Sequence, residues 1–221
     1  MDLEFALRST GAVREFADEP VSDETIAAIL DVARHAPSGG NRQPWHVAVV
    51  KDTPLRRSLA ALCQPVWNEY VAQGMAGETP FATTVESSVD LTAARSDHQP
   101  NPLLDNIETV PVVLVLAADL GQVAMMDKEL SRPTLSGGGS IYPFAWSIML
   151  AAHAHGLGGV MTTFLARAED EARPLLALPD GWAVATMICL GRPASRATRL
   201  RRHPVGSFTT VDRFDGPSFA E

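Results

Sequence analysis

The 221-residue sequence is poor in cysteine, in lysine and in long apolar runs, and these shortages exclude several classes of protein. Its two cysteines, Cys63 and Cys189, form no disulfide framework and lie in apolar stretches typical of buried free thiols. The longest apolar stretch, 141–152, is shorter than the roughly 18 residues that a membrane-spanning helix requires. Residues 1–4 lack the basic and apolar regions of a signal peptide. We therefore expect a globular, cytoplasmic protein without a membrane partner.

The charge distribution is uneven along the chain. The formal net charge is −8, which argues against nucleic acid as a partner because binding to phosphates requires a positive surface. The 18 basic residues nevertheless include only two lysines, Lys51 and Lys128, and the rest are arginines. Five arginines fall between Arg192 and Arg202, and His203 follows them. This stretch is either a local site for an anion or a solvated basic tail.

Apolar periodicity predicts helices that alternate with strands. One helix is predicted from its Ser22 cap to about His35, and a second begins at Thr53 and Pro54. Pro65 lies within this second helix and is expected to kink it or to end it early. The remaining predicted elements are strands at 46–51, 110–118, 159–164 and 182–190, and helices at 141–155 and 168–178.

Three of these segments bear on the architecture. The run 110–118 is continuously apolar and rich in valine, which predicts a strand buried on both faces. The helix 141–155 is apolar nearly all round, so we expect it to be central and partly covered by a second subunit. The stretch 74–102 is polar and aperiodic, as in excursions that cover a site. The predicted class is α/β or α+β, with one sheet between helices.

The loop 36–45 is the most distinctive motif, and its sequence is Ala-Pro-Ser-Gly-Gly-Asn-Arg-Gln-Pro-Trp. It displays amides and backbone N–H groups but no residue suited to proton transfer. Such groups suit recognition of a polar heteroaromatic ring, although an ordinary connecting loop uses the same turn residues. No P-loop, nucleophile elbow or helical pair of metal ligands occurs elsewhere in the chain.

Arginines at both ends of the chain extend this interpretation. Arg8, Ser9 and Thr10 precede Arg14, and such groups near a helix end either hold a phosphate or form an ordinary charged surface. The tail 199–204 adds further arginines. Together with the amide-rich loop, these segments indicate a heteroaromatic ligand that carries a phosphate.

The sequence resembles the FMN-dependent nitroreductase family in three segments. These are the N-terminal Arg8-Ser9-Thr10 with Arg14-Glu15-Phe16, the loop 36–45, and the late Gly-Leu-Gly at 156–158 followed by Gly191-Arg192-Pro193. The resemblance covers almost the whole chain, and residues 74–136 match least. It implies an α+β fold with a central mixed, mostly antiparallel sheet flanked by helices. It further implies one domain over 1–221, with a variable excursion at 74–136, an extended C-terminal tail at 192–221, and an intertwined homodimer.

The resemblance also implies which residues bind a tightly held FMN at the subunit interface. Arg14 is implied to place positive charge beside the ring edge of the flavin. Gly11, Ala12 and Val13 lengthen the usual spacing before Arg14, so the phosphate contact is left open between Ser9 and Thr10. The full implied set is Arg8, Ser9, Thr10, Arg14 and Arg202 for the phosphate, ribityl chain and ring edge, Pro37, Ser38, Gly39, Asn41 and Gln43 for the ring from the other subunit, and Val160, Met161, Thr162 and Thr163 beside the ring.

The implied activity is a ping-pong transfer of hydride from NAD(P)H through FMN to a small aromatic acceptor, such as a nitroaromatic or a quinone. The absence of a nucleophile or metal motif agrees with chemistry carried by a cofactor. Two alternatives stay open. One is a flavin-dependent dehydrogenase or dehalogenase of a specific metabolite, in which Trp146 and the excursion 74–102 shape the pocket. The other is a flavin-binding store or sensor without turnover. NADH, NADPH and a deazaflavin are all retained as donors.

Overall fold

A computed structural model describes residues 2–195 and 200–220 and contains one four-stranded sheet. The strands are β1 (Trp45–Val49), β2 (Val112–Asp119), β3 (Gly158–Thr162) and β4 (Trp182–Gly191), in the spatial order β1-β2-β4-β3. All three strand pairs are antiparallel. The single parallel pairing among the described residues is the isolated bridge between Ala12 and Gly159. The α+β class with a mostly antiparallel sheet is therefore confirmed.

Eight helices in the described residues flank this sheet. Side-chain caps begin two of the long ones, because Ser22 Oγ accepts from Thr25 N at 3.2 Å and Asp52 Oδ2 accepts from Leu55 N at 2.8 Å. The helices are α1 (Leu3–Ser9), α2 (Asp23–Ala33), α3 (Thr53–Met75), α4 (Leu91–Ser96), α5 (Pro102–Asp105), α6 (Tyr142–Ala154), α7 (Phe164–Arg167) and α8 (Glu169–Leu176).

Two expectations about helix and strand bounds need correction. The prediction that Pro65 ends α3 early is wrong, because the helix continues to Met75. The carbonyl that Pro65 leaves unpaired belongs to the exposed Ala61, where water can bind it, and burial of Cys63 and Val66 holds the helix in place. The helix predicted at 168–178 is confirmed as α8, whereas α7 lies before these bounds and was not predicted. The strand predicted to reach residue 164 ends at Thr162, and α7 follows it.

The core consists of apolar layers on the two faces of the sheet. Alternate residues of β2 point to opposite faces: Leu114 and Leu116 pack with α2 and α6, whereas Val113 and Val115 pack with α3 and α8. Residues 112–118 are all buried, which confirms the strand predicted to be covered on both faces. The sheet thus lies between two helical layers, as the sequence predicted.

The sequence led us to expect buried free cysteines and no membrane-spanning helix. Cys63 and Cys189 are buried free thiols, and desolvation raises the pKa of each to about 12. The prediction of buried free thiols is confirmed. No helix in the described part of the chain has the length and apolar character needed to cross a membrane.

Candidate functional site

A cavity of about 510 Å³ lies beside the end of β3. Its walls come from the N-terminal segment, from α3, from the residues around the start of α5, and from β3 with the start of α7. The lining residues are Arg14, Trp67, Tyr70, Asn101, Pro102, Leu103, Leu104, Tyr142, Val160, Met161, Thr162, Thr163 and Phe164. Five residues that the sequence implicated in flavin binding, Arg14 and 160–163, therefore lie around one cavity.

Two backbone contacts with β3 bring the N-terminal segment to this cavity. Ala12 forms a parallel bridge with Gly159, and Val13 N donates to Gly159 O at 2.8 Å. The approach requires glycine, because a Cβ on Gly158 would lie 2.7 Å from Val13 Cγ2. The late glycine motif thus has a packing role, since it allows the chain before Arg14 to lie against the strand.

Among the described residues that line the cavity, Arg14 is the one that carries a charge. Within residues 2–195 and 200–220, no carboxylate lies within ion-pair distance of its guanidinium. An unpaired cation beside apolar walls attracts an anion or a partly negative ring edge.

An aromatic wall, defined as Trp67, Tyr70 and Phe164, forms the α3 side of the cavity. Trp67 and Tyr70 stack with ring centroids 5.5 Å apart, and each lies 5.9 Å from Phe164. Phe81 extends the cluster, with its ring 6.4 Å from Tyr70. Aromatic pairs at these separations are mutually stabilising and present flat apolar surfaces.

Glu69 anchors this wall from behind. Its carboxylate is fully buried and accepts from Arg167 Nε at 2.9 Å and from Arg95 Nη1. Arg167 also lies over the Phe81 ring, 5.1 Å from its centroid. Because Glu69 precedes Tyr70 in α3, these contacts fix the rotation of the helix and hence the direction of the aromatic wall.

Hydrogen bonds to α3 also hold the segment before α5. Gln64 Nε2 donates to Gln99 O at 2.7 Å, Gln99 N donates to Asn68 Oδ1 at 2.9 Å, and Trp67 Nε1 donates to Pro100 O at 3.2 Å. The cavity wall formed by residues 101–104 is therefore built into the folded chain. The excursion predicted at 74–102 does reach a site, and it contains the short helix α4.

A family model described as Nitroreductase family matches residues 7–192. The chain belongs to the nitroreductase family. Membership confirms the resemblance drawn from the three sequence segments and the oxidoreductase class that it implied. Over 205 residues the chain is 25% identical to the "NADH dehydrogenase" of Thermus thermophilus, with 93% of each sequence covered.

Solved structures show the same fold. The NADPH:FMN oxidoreductase from Vibrio harveyi, complexed with NAD+, superposes with a TM-score of 0.68 at 19% identity, covering 95% of this chain and 76% of that one. An iodotyrosine deiodinase bound to FMN and 3-iodo-L-tyrosine superposes with a TM-score of 0.65 at 21% identity, covering 92% and 96%.

The N-terminal residues that the nitroreductase resemblance assigned to the phosphate lie outside the cavity. Arg8 pairs with Glu4 on the exposed face of α1 at 2.8 Å. The Thr10 hydroxyl donates to Ala6 O at 2.8 Å and is buried. Ser9 Oγ donates to Phe5 O at 2.6 Å and lies 3.0 Å from His153 Nε2. Both hydroxyls are thus engaged within the described chain.

The amide-rich loop also lies outside the cavity of its own chain. Gly40, Asn41 and Gln43 adopt positive φ angles of 62°, 52° and 50°, and Ser38 Oγ accepts from Gln43 N at 2.9 Å. These features hold the loop in a tight turn. The sequence-implied residues Pro37, Ser38, Gly39, Asn41 and Gln43 are all absent from the lining.

The described part of the C-terminal tail, 200–220, approaches the N-terminal segment and contributes no residue to the cavity lining. A Cβ on Gly11 would lie 2.8 Å from Leu200 Cδ2, so the tail passes directly over Gly11. Arg202 is exposed and donates to Arg201 O at 2.7 Å. Arg199, whose part in holding the phosphate was left open, lies outside the described residues. Trp146 is partly exposed on α6 and is absent from the lining, so within one chain it does not shape this pocket.

Several lining residues escaped sequence reasoning. Trp67 lies in the helix predicted to begin at Thr53, but no motif connected it with a ligand. The others have no sequence pattern that reports their convergence: Tyr70, Asn101, Pro102, Leu103, Leu104, Tyr142 and Phe164. A search for aromatic residues that share one face of α3 could have found Tyr70.

Proposed function

We propose that this nitroreductase-family protein holds FMN in the cavity beside β3 and transfers hydride from NAD(P)H to an organic acceptor in a ping-pong cycle. The acceptor class is a nitroaromatic or a quinone. One observation carries the proposal: an unpaired Arg14 and the backbone of 160–163 line the same cavity, which has aromatic walls. The similarity to an NADH dehydrogenase, to an NADPH:FMN oxidoreductase and to an FMN-bound deiodinase supports a nicotinamide donor and FMN.

The residues present fit FMN. A volume of about 510 Å³ lies in the range of sites for small molecules, about 300–1,000 Å³. Flat aromatic walls suit a fused aromatic ring, and Arg14 suits an anionic or partly negative edge. The passage of Leu200 over Gly11 brings the tail that carries Arg201 and Arg202 to the N-terminal segment, which supports a role for that tail at the phosphate.

When bound, FMN supplies the hydride chemistry. The chain supplies placement and charge: Arg14 stabilises negative charge on the adjacent ring edge, and β3 and its flanking residues 160–163 provide a fixed surface. None of the described lining residues is an aspartate, a glutamate or a histidine, so the described wall offers neither a carboxylate nor an imidazole for proton transfer.

A homodimer would complete this site. The rigid loop 37–43 does not reach the cavity of its own chain, which supports its contribution to the cavity of a partner. Large apolar side chains lie exposed on the tail and on α1, with Phe214 at 105% and Phe208 at 67% of full exposure. A soluble monomer rarely leaves so many apolar residues uncovered together. Light scattering during gel filtration should give twice the 23.7 kDa chain mass.

An absorbance spectrum of the purified protein, before and after anaerobic NADPH or NADH, tests the proposal. We expect flavin bands that bleach with at least one nicotinamide donor. Arg14→Ala should lower flavin retention or slow bleaching, whereas Arg34→Ala, which removes an exposed arginine paired with Asp31, should do neither. A colourless protein that fails to bind added FMN would contradict the proposal.

A selective dehydrogenase or dehalogenase is the second candidate, and the preformed wall at 99–104 favours it. A wall held by three hydrogen bonds to α3 suits discrimination among acceptors, and the fold is shared with a deiodinase. Rapid turnover of one metabolite, with weak activity on generic nitroaromatics and quinones, would support this candidate. Flavin bands that persist with every donor would instead support a store or sensor.

A further inference from the structure

The aromatic wall and the adjacent segment 101–104 each carry one hydrogen-bond donor that no residue of the described chain uses. The hydroxyl of Tyr70 and the side-chain amide of Asn101 both belong to lining residues. The other residues of the aromatic wall and of this segment are Trp67, Phe164 and 102–104, and their one polar side-chain group is already paired. Trp67 Nε1 donates to Pro100 O.

The orientation of Asn101 follows from its capping role. Asn101 Oδ1 accepts from Leu104 N at 3.3 Å, and the backbone N–H of Asn101 donates to Asp105 Oδ2 at 3.0 Å. Because the oxygen of the carboxamide faces the first turn of α5, its NH₂ group faces away from that turn. The described chain offers this NH₂ no acceptor.

The position of Tyr70 is equally constrained. Its ring stacks on Trp67 with an interplanar angle of 12° and meets Phe164 at 66°. The preceding residue, Glu69, is fixed by Arg95 and Arg167. The ring therefore has little freedom to rotate away, and 41% of the residue remains exposed.

The charge of the cavity limits what these donors can bind. The lining residues that the structure describes include no carboxylate, so among them an ammonium group of a ligand would lose hydration without gaining a counter-ion. Oxygen atoms of nitro groups and quinone carbonyls accept hydrogen bonds and suit the two donors.

We propose that Tyr70 and Asn101 are specificity-determining residues that bind the oxygen atoms of a flat aromatic acceptor lacking a cationic group. The inference rests on the proposed flavin site and narrows its substrate class. It disfavours zwitterionic amino acids as substrates, because the described cavity has no partner for their ammonium group.

The test compares two nitroaromatic acceptors. 4-Nitrobenzyl alcohol carries a neutral hydroxyl group, whereas 4-nitrobenzylamine carries an ammonium group in the same position. Holoenzyme is first reduced with stoichiometric dithionite, and the rate of flavin reoxidation by each acceptor is then measured anaerobically by rapid mixing. Chemical reduction removes the nicotinamide donor from the measurement. Failure of NADPH to bleach the flavin would thus count against the proposed function alone.

Two conservative variants probe the donors. Tyr70→Phe keeps the ring contacts, and Asn101→Asp keeps the cap on α5 while replacing the NH₂ group with a carboxylate oxygen. We expect each to slow reoxidation by the alcohol about tenfold, the effect of losing one hydrogen bond to the acceptor. Asn101→Asp should in addition raise the rate with the amine relative to the alcohol.

Asn106→Asp is the matched control, because it makes the same amide-to-acid change near α5 at a residue that is absent from the described lining, although Asn106 does donate to the backbone oxygen of the lining residue Pro102. It should leave the ratio of the two rates unchanged. The proposal is overturned if wild-type enzyme reduces both acceptors equally fast. It is also overturned if Tyr70→Phe and Asn101→Asp both keep the wild-type rates within about twofold, because a change that small is less than the loss of one hydrogen bond would cause.

Discussion

The backbone N–H of Gly39 donates to Ser140 Oγ at 3.0 Å, joining two residues that lie 101 positions apart in the chain. Ser140 closes the glycine-rich turn before α6, and Gly39 lies in the rigid amide-rich loop. A Cβ on Gly39 would lie 3.4 Å from the same hydroxyl, so the contact is close. The position of the loop proposed to reach a partner's flavin therefore depends on the chain that leads into the central helix.

Ser140→Ala should loosen this loop. The change removes the acceptor for Gly39 N–H, and we expect the free energy of unfolding to fall by about 0.5–1 kcal/mol. The dissociation constant of FMN should rise, because the loop lies on the proposed flavin interface. Calorimetry and flavin titration measure the two effects. Ser147→Ala is the control, since Ser147 Oγ bonds only to Pro143 O within α6; equal effects from both variants would contradict the role of Ser140.

Glu69→Ala should destabilise the fold more than the loss of a surface ion pair. Removing this fully buried carboxylate should cost about 2–3 kcal/mol, because hydrogen bonds from two charged arginines are lost, although the half-exposed arginines themselves remain solvated. Arg57→Ala removes a surface pair with Glu108 and should cost about 0–1 kcal/mol. Urea unfolding measures both. Similar losses for the two variants would show that Glu69 does not anchor α3.

The two cysteines should be unreactive in the folded protein at pH 8. Burial raises the pKa of Cys63 and Cys189 to about 12, so the reactive thiolate is scarce and the reagent has no access. A thiol-specific chromogenic reagent should label neither cysteine in native protein and both in guanidinium chloride. Rapid labelling of native protein would contradict the burial of these side chains.

The segment after α3 should lose stability in acid. Hydrogen bonds from Ser87 Oγ, Ser88 Oγ and Ser88 N lower the pKa of Glu78 from 4.5 to about 2. Since the folded pKa lies below the unfolded one, this stabilisation is present above pH 4.5 and disappears as the pH falls toward 2.

Thermal melts of wild type and Glu78→Gln from pH 7 to pH 2 measure this dependence. The wild type should be the more stable protein at pH 7, and the difference should shrink below pH 4.5 as the Glu78 carboxylate takes up a proton. Glu86→Gln is the control, because Glu86 is exposed and makes no hydrogen bond within the described residues. A difference independent of pH would contradict the assignment.

Local pattern was sufficient for much of the fold. The cap at Ser22 and the apolar spacing after it determined α2, and the unbroken apolar run at 112–118 determined a strand with both faces covered. Such features depend on neighbours within a few positions, which a single sequence displays. The loop 36–45 and the arginines likewise sufficed to indicate the nitroreductase family.

The composition of the cavity was decided by tertiary structure. Arg14, Tyr70, Asn101 and Thr162 are far apart in the chain, and they meet because β3 holds the N-terminal segment while Glu69 and Asn68 hold the excursion against α3. The course of α3 through Pro65 was decided in the same way, by burial that outweighs one lost hydrogen bond. Sequence alone determined the local elements and the family. Packing between distant residues, which no local pattern encodes, determined which side chains line the cavity.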